Sequence, residues 1–424
     1  TPGFLDYQTP AGLVSALRGW SNIQDADYDI EDYISSGSDR DADDNNWAPR
    51  LGFSYDLNAD QRHVIFGGVG RSYDRNLFDY IALEQSSNAF PSYEFNFNVP
   101  NHACAPGVGN CLAWDPSYFD VDNLHALVAA NPNLGAQVTL INNGLKTPYS
   151  DQFSLGMRNV VPLLGHDWNT SATIAHVRSY DGIIFALGNR YPDGSFYGSG
   201  RTFGGAPFDE EIPGFGDLLI ADNGVETRSN QLLLSAEKPF TRNSPWGVTL
   251  AYTYTDAEEN RSSAADSDEH FVFDYPDLDD HPWVSSIGIP KHRFVGTGIV
   301  EFWGITLSTK LTLASPEAKN VLNCIEPTPV GLDNCAFGTF EAGYFDDAKF
   351  RQWDIAIQKT WETGSDISLW VRGDVFNVTN ERNYTDFGTF RGVDGVEDPN
   401  FGRRTGDGTE WPPRMFKLSM GFNW

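Results

Sequence analysis

Acidic side chains cluster at several places in the sequence and offer the oxygen ligands that calcium prefers. In one cluster, carboxylates alternate with other residues at Asp39, Asp41 and Asp43, as they do in calcium-binding loops. Asp44 stands where such a loop needs glycine, and Arg50 stands where it needs its last acidic ligand. The stretch therefore predicts weak Ca²⁺ binding, with a solvated acidic loop as the alternative.

A later acidic stretch carries aromatic rings among its carboxylates, at Asp274, Tyr275, Asp277 and Trp283. Rings and carboxylates together suit a cationic ligand, through cation–π contacts and ion pairs, or a sugar-like one. We therefore treat this stretch as a candidate ligand loop. Ordinary packing of a surface loop is the competing interpretation.

The four cysteines form two close pairs, Cys104 with Cys111 and Cys324 with Cys335. Neither spacing matches a CxxC metal or redox motif, and no histidine lies at a ligand-like offset. Two local disulfides, each closing one loop, fit this pattern best and predict an oxidising compartment. Four unpaired thiols are the alternative.

No enzyme signature accompanies these clusters. The sequence contains no HExxH or GxSxG motif and no phosphate-binding glycine loop. A formal net charge of −29 argues against a nucleic-acid partner, because phosphate contacts need a basic surface. We therefore predict that the chain is not an enzyme and has no cofactor beyond Ca²⁺ in the acidic loops.

The elements that carry these loops show alternation with a period of two. Near the C-terminus, Phe416, Leu418, Met420 and Phe422 share one face of an extended strand. The opposite face carries Lys417, Ser419 and Asn423. Such a strand is apolar on one side and polar on the other.

Eleven segments of this kind occur along the chain, and all are expected to be β-strands. One or two more strands are expected within residues 3–20, where Leu13 to Trp20 is the candidate. The eleven are residues 49–57, 62–72, 150–160, 168–179, 228–238, 246–256, 292–302, 304–315, 349–361, 366–376 and 414–424.

Connections between these strands are alternately short and long. Turns of a few residues alternate with segments of about thirty residues or more, such as residues 74–148 and 377–413. Because this alternation places all long loops at one rim, it predicts an antiparallel up-and-down β-barrel. No apolar run approaches the roughly 20 residues of a membrane-spanning helix.

Alternation alone does not decide which face of the barrel meets water, and a soluble secreted β-protein is one reading. Strand length, aromatic residues at strand ends and mid-strand charges favour a transmembrane barrel. In that reading Phe416, Leu418, Met420 and Phe422 face lipid. Lys417, Ser419 and Asn423 then face a wet lumen.

Several segments resemble the C-terminal part of outer-membrane TonB-dependent receptors, of the Oar-like group. They are residues 48–56 (APRLGFSYD), 67–75 (GGVGRSYDR), 145–156 (LKTPYSDQFSLG), 291–295 (KHRFV) and 374–380 (DVFNVTN). The terminal Phe422 and Trp424 also resemble the aromatic signal read by the outer-membrane insertion machinery.

The resemblance implies that a 22-stranded barrel follows an N-terminal plug domain. On this basis residues 49–424 supply about 11–13 strands of the second half of the barrel, with short periplasmic turns and long external loops. Residues 1–48 supply uncertain strands and an acidic external loop. The chain does not begin with Met, and we expect the plug and the first half of the barrel to lie upstream of Thr1. A complete barrel of twelve strands is the alternative.

The resemblance also implies a function in the bacterial outer membrane of a Gram-negative cell. The barrel would be the wall of an energised uptake receptor for an unknown ligand. Its partners would be outer-membrane lipid and lipopolysaccharide, the missing N-terminal half, TonB through that half, and a surface lipoprotein. A passive channel or a surface-binding barrel without energy coupling is the alternative.

Overall fold

Eleven antiparallel strands form one continuous sheet in the computed structural model. The structure describes residues 8–424 except 25, 27, 38–39, 41–42, 75–76, 91–95, 99–104, 107–110, 131–136, 189–217, 242, 261–270, 273–282, 326–335, 341–347, 364–366 and 394. In order across the sheet the strands are β1 (Arg50–Asp56), β2 (His63–Tyr73), β6 (Tyr149–Leu163), β7 (His166–Leu187), β8 (Leu218–Lys238), β9 (Trp246–Glu259), β12 (His292–Phe302), β13 (Ile305–Ala314), β16 (Phe350–Glu362), β17 (Ser368–Phe376) and β20 (Met415–Asn423). Each of the eleven predicted strands is confirmed.

Short turns join these strands at one rim, as predicted. The connections after β6 and β12 have two residues each, Leu164-Gly165 and Trp303-Gly304, and all four have positive φ angles between 52° and 76°. Two-residue turns of this kind match the right-handed twist of the flanking strands. Long connections leave the opposite rim, which we call the external rim.

The apolar face of the sheet is exposed. On β20, Phe416, Leu418, Met420 and Phe422 are between 60% and 76% exposed, and Leu51 on β1 is 73% exposed. A water-soluble barrel would bury this face in its core. The exposure instead fits a barrel that turns its apolar side chains to lipid and its polar ones inward.

The sheet is open within the described residues. Its first strand, β1, pairs only with β2, and its last strand, β20, pairs only with β17. The strand order runs from β1 to β20 without a pairing that would close a twelve-stranded ring.

Strands β7 and β8 extend farther than the alternation predicted. They have 22 and 21 residues and continue beyond the expected ends at residues 179 and 228. The register shifts between Ser179 and Gly182, where Asp181 has a φ of 57°. Because this β-bulge breaks the period of two, the alternation of polar and apolar residues does not predict that the strands continue beyond it.

Beyond the bulge, the strand extensions belong to a three-layer subdomain at the external rim. Strand β5 (Val138–Ile141) pairs in parallel with the start of β8, and β10 (Phe271–Val272) pairs in parallel with the end of β7, so the order here is β5–β8–β7–β10. Strand β5 and these ends of β7 and β8 are buried on both faces, which explains their continuous apolar runs. Two helices, α1 (Ala11–Gly19) and α2 (Ser21–Gln24), cover one face through Leu17 and Ile23. A third helix, α3 (Leu77–Ala89), covers the other through Leu83.

Helix α1 corrects the prediction that Leu13 to Trp20 is a strand. Pro10 precedes the helix, and Leu13, Val14 and Leu17 recur at helical spacing toward the core of the external subdomain. Leu17 is fully buried. Because apolar residues recur every three to four positions in this segment, as in a helix, the segment shows little alternation with a period of two.

The remaining elements lie in the long connections. They are the short pair β3 (Asn96–Phe97) and β4 (Cys111–Leu112), helix α4 (Val121–Ala130), β10 (Phe271–Val272), β11 (Val284–Ser285), and a four-stranded sheet of β14 (Lys319–Cys324), β15 (Ala336–Phe340), β18 (Phe390–Val393) and β19 (Val396–Glu397). Two 3₁₀ turns are Ile30–Asp32 and Pro116–Phe119. In the described part of the chain, no helix combines the length and apolarity required to span a membrane.

Candidate functional site

The polar face of the barrel sheet is a connected surface because strand register places its side chains next to one another. Ser150 lies opposite Ser179 and Ser171 opposite Ser235, and the hydroxyl oxygens of each pair are 2.7 Å apart. In a lipid-facing barrel this face lines the lumen. We call it the lumenal face.

Charged side chains gather on the lumenal face of the last four strands. Lys310 is in register with Asp354, and Asp374 is in register with Lys417. Asp374 is buried and accepts a hydrogen bond of 2.8 Å from Nε of Arg372. Charges of both signs in neighbouring positions suit the binding of a polar solute or a polar protein surface.

Small residues line the lumenal face at the other end of the sheet. A cavity of about 380 Å³ lies over β1, β2, β6 and β7. Glycine, serine and alanine leave a smooth wall there, with Arg50 and Gln152 as the large polar groups. Its lumenal lining is Arg50, Gly68, Gly70, Ser72, Gln152, Ser154, Ala175 and Val177.

A buried ion pair holds the external subdomain together. Nη2 of Arg40 donates to Oε1 of Glu84 at 2.8 Å and to the carbonyl of Ile141 at 3.0 Å. The N–H of Ile141 donates to Oε1 of Glu84 at 3.0 Å, so the pair joins α3 to β5. Burial raises the pKa of Glu84, against the opposing effects of Arg40 and the Ile141 N–H. Nε of Arg40 also donates to Asn143 at 2.9 Å.

A second polar contact ties the segment after α2 to β8. The hydroxyl of buried Tyr33 donates to Oδ2 of Asp222 at 3.0 Å, and Nδ2 of Asn142 donates to the same oxygen at 2.8 Å. Burial, and then the charge of Asp222, raise the pKa of Tyr33, so its hydroxyl stays protonated and keeps donating. These contacts join the segment after α2 and the residue after β5 to β8.

The lumenal face thus carries hydroxyl pairs on β6, β7 and β8 and charges of both signs on β13 to β20. Among the residues that the structure describes, no three His, Cys, Asp or Glu side chains form a group that could hold a metal ion.

A family model described as an outer membrane beta barrel domain matches residues 17–303. The chain belongs to this family. The bacterial outer membrane is therefore its location, and the exposed apolar face of the sheet is its lipid-facing surface.

Solved structures of outer-membrane barrels share this architecture. The Escherichia coli outer membrane transporter YddB is 15% identical, with 88% of this chain and 40% of that one covered and a TM-score of 0.50. The siderophore receptor PirA of Acinetobacter baumannii is 13% identical, with 88% and 40% covered and a TM-score of 0.46. A ferric enterobactin receptor mutant of Pseudomonas aeruginosa, PfeA, is 15% identical, with 88% and 40% covered and a TM-score of 0.44.

The chain thus spans about two fifths of the length of these solved structures. The comparison with curated proteins found no match. The family membership establishes an outer-membrane β-barrel domain, and the fold likeness to YddB extends over 88% of the chain.

Of the four cysteines in the predicted disulfides, only Cys111 is fully described. Cys111, on β4, is buried and disulfide-bonded. Cys104 and Cys335 lie outside the described residues, as does the side chain of Cys324. The pairings Cys104–Cys111 and Cys324–Cys335 stay predictions.

Of the three predicted calcium ligands, the structure describes only Asp43. Its carboxylate accepts a hydrogen bond of 2.7 Å from the N–H of Thr147, which joins the loop to the residues before β6. Asp39 and Asp41 lie outside the described residues. Calcium binding by this loop stays a prediction.

The predicted ligand loop is described at Trp283, whereas Asp274, Tyr275 and Asp277 lie outside the described residues. The guanidinium carbon of Arg228 lies 4.2 Å from the centre of one Trp283 ring. Trp283 therefore makes a cation–π contact with an arginine side chain of the protein. Its role in ligand capture stays a prediction.

The predicted insertion signal lies at the end of β20. Phe422 and Trp424 are exposed, with ring centres 5.5 Å apart. Both side chains lie at the short-turn rim. Their reading by an insertion machinery stays a prediction.

Sequence reasoning missed two features of this barrel, the external subdomain and a row of arginines on the apolar face. Continuous apolar runs such as Leu218–Ala221 were a signal of strands buried on both faces. The arginines could have been found from the alternation itself, because Arg71 and Arg178 fall at positions that share the apolar face with Val69 and Ile174. Charged residues at positions that the alternation assigns to the apolar face are therefore worth marking in the sequence.

Proposed function

We propose that the chain is the barrel-wall portion of a TonB-dependent uptake receptor, of the Oar-like group, that imports a polar ligand. The external loops capture the ligand, and the lumenal face guides it inward. A plug domain gates the passage, and TonB supplies energy through that part of the protein. The chain performs no catalysis in this account.

The observation that carries the proposal is the external subdomain. Strands β7 and β8 continue through a bulge into a packed three-layer structure at the external rim. Outer-membrane barrels in general have longer loops at this rim, and here those loops pack into a buried core that gives a shaped surface able to hold a ligand before transport. The rigid contacts of Arg40 with Glu84 and of Tyr33 with Asp222 suit such a surface.

The mixed charges of the lumenal face give a second line of support. Large outer-membrane transporter barrels enclose a plugged lumen. Lys310, Asp354, Asp374 and Lys417 offer a polar wall against which a plug or a polar ligand can lie. The likeness to YddB, a protein named as an outer membrane transporter, enters as an analogy of fold.

Further partners follow from the same proposal. A surface lipoprotein could cover the external subdomain, and Ca²⁺ could order the acidic loop around Asp39, Asp41 and Asp43. Calcium titration with the full-length protein, followed by its thermal unfolding, tests the metal. A raised unfolding temperature that Asp41→Asn abolishes supports the site, and an unchanged temperature refutes it.

Conductance tests gated transport against a passive channel. In planar bilayers, the full-length native protein should give no steady conductance, because a plug closes its lumen. Denaturant that loosens the plug should open it. Stable conductance of the native protein without denaturant would favour the passive channel and overturn the proposal.

A further inference from the structure

Four aromatic rings form a cluster in the long connection between β2 and β6. The ring of Trp114 lies edge-on to Phe97 and to Phe119, with ring centres 5.1 and 5.4 Å apart. The ring of Tyr118 lies 5.5 Å from that of Phe97. We call Phe97, Trp114, Tyr118 and Phe119 the aromatic platform.

The aromatic platform is open to solvent and is continued by helix α4. Phe119 is 83% exposed and Trp114 is 45% exposed. On α4, Val121 and Leu124 are 63% and 39% exposed, and none of the ten residues of this helix is buried. Because Val121 and Leu124 are three positions apart, they share one side of the helix. A continuous exposed apolar surface of this kind is typical of an interaction site.

Polar contacts order the platform before any partner binds. Asp115 accepts a hydrogen bond of 2.8 Å from the N–H of Ser117 at the 3₁₀ turn, and Asp120 accepts one of 2.9 Å from the N–H of Asp122 at the start of α4. Nδ2 of Asn123 donates to the carbonyl of Ser117 at 3.1 Å, which joins the helix to the turn. A surface that is already ordered loses less conformational entropy on binding.

The segment that carries the platform is acidic. Asp115, Asp120 and Asp122 are exposed beside the rings. The sequence contains no Lys or Arg between Arg75 and Lys146 that could neutralise them locally. Exposed rings attract cations through their faces, and carboxylates attract them by charge. The platform therefore suits a partner that carries both cationic and apolar groups.

The external side of the protein as a whole has the same sign of charge. Residues 1–49 and the connections at the external rim carry 42 of the 58 acidic residues and 15 of the 29 basic ones, so they hold −27 of the net charge of −29. These connections are residues 74–148, 188–217, 260–291, 315–349 and 377–414. A field of one sign concentrates ligands of the opposite sign and speeds their encounter.

We infer that the aromatic platform and α4 dock a cationic peptide with apolar side chains. The apolar side chains of the peptide pack on the platform and on Val121 and Leu124. Its Lys and Arg groups pair with the carboxylates of Asp115, Asp120 and Asp122. The inference names a ligand class for the proposed uptake receptor, and it rests on that function for the fate of the bound peptide.

Peptide binding to the purified full-length protein tests this inference. The protein is reconstituted in nanodiscs of zwitterionic lipid, with empty nanodiscs as the blank, and fluorescence anisotropy follows a labelled peptide of alternating lysine and leucine. We expect saturable binding that weakens as salt is raised. Peptides with glutamate in place of lysine, or with serine in place of leucine, should bind at least about tenfold more weakly. Equal binding of the lysine and glutamate peptides would overturn the inference.

An aromatic variant locates the docking surface. Phe119→Ala should weaken binding of the lysine–leucine peptide about tenfold, as expected for an aromatic anchor of an interface. Phe90→Ala is the matched control, because Phe90 is 81% exposed in the same connection and is not part of the platform. Both side chains are so exposed that their removal should not prevent folding. Equal effects of the two replacements would overturn the assignment of the surface.

Charge variants separate local pairing from the field of the whole external side. Asp115→Asn with Asp120→Asn removes two charges and keeps both turns capped, since asparagine also accepts from a backbone N–H. This double variant should weaken peptide binding and flatten its salt dependence. Asp407→Asn with Glu410→Gln, at exposed positions of the last connection, is the control and should change binding little. Equal losses in the two double variants would overturn the inference.

These assays measure binding without transport, so they fail independently of the proposed function. Absence of peptide binding in a protein with a gated lumen would refute the docking surface alone. Peptide binding by a protein that conducts in its native state would support the docking surface and refute gated uptake.

Discussion

Arg40 and Glu84 form the most deeply buried ion pair among the described residues. Both side chains are almost fully buried, so removing one partner leaves an uncompensated buried charge. We expect Arg40→Ala to destabilise the subdomain by about 3–5 kcal/mol. Hydrogen exchange of the β5 amides measures this as a rise in local opening, while the barrel strands stay protected.

The exposed pair Arg18–Glu31 is the matched control for this experiment. Its side chains are 54% and 49% exposed, so water and salt screen the attraction. Glu31→Gln should change exchange of the β5 amides little. Equal effects of Arg40→Ala and Glu31→Gln would contradict the role given to the buried pair.

At the residue scale, the sequence predicted which face a side chain takes but not its distant partners. Leu418 and Met420 are exposed on the apolar face, as the alternation required. Arg40 and Glu84 are 44 residues apart and lie in segments without a regular period. Their contact depends on how α3 packs on β5, which no local pattern encodes.

The two-residue turns of the short rim provide a prediction at the scale of elements. Gly165 has a φ of 76° and open space around an added Cβ, whereas Gly304 has a φ of 67° and the Thr360 carbonyl oxygen 3.2 Å from that Cβ. Gly165→Ala should cost about 1 kcal/mol from backbone strain alone. Gly304→Ala should cost more, because a backbone oxygen of β16 cannot move aside cheaply. Urea unfolding of protein reconstituted in vesicles measures both, and equal costs would contradict the argument.

Strand β20 tests the direction of the apolar face. Leu418 lies near the middle of the strand on the exposed apolar face, and Ser419 lies on the lumenal face. Leu418→Arg should cost about 2–4 kcal/mol near the bilayer midplane. Ser419→Arg is the control and should cost much less, since its charge enters a wet lumen. Urea unfolding in vesicles gives both values, and a larger loss for Ser419→Arg would reverse the assigned faces.

The sequence predicted β-strands correctly where one face of the strand is apolar and the other is polar. The eleven barrel strands follow the period of two closely enough to be located, although the bulge in β7 and charged positions such as Arg71 depart from it. Their observed ends mostly lie within three residues of the predicted ones. The prediction failed where strands are buried on both faces. The bulge at Asp181 and the apolar runs beyond it hid the extensions of β7 and β8, and the helical spacing of Leu13, Val14 and Leu17 was taken for a poor strand.

For the whole molecule, the open edges of the sheet require partners. Each backbone N–H and C=O left unpaired in lipid costs several kcal/mol. We expect β1 and β20 to pair with further barrel strands and not with each other. Cysteine pairs placed across them on the lumenal face, such as Gly52→Cys with Ser419→Cys and neighbouring registers, should form no disulfide in the full-length protein. A disulfide in any register would support a closed ring of the strands described above.

A nitroxide scan along β20 tests most directly whether the apolar face of this outer-membrane barrel lies in lipid. Single labels at residues 415–423 of the full-length protein, reconstituted in vesicles, are measured for collision with oxygen and with a water-soluble nickel complex. Oxygen accessibility should peak at Phe416, Leu418, Met420 and Phe422, and nickel accessibility at Lys417 and Ser419. Nickel maxima at the four apolar positions, with oxygen maxima at Lys417 and Ser419, would contradict the membrane orientation and the account built on it.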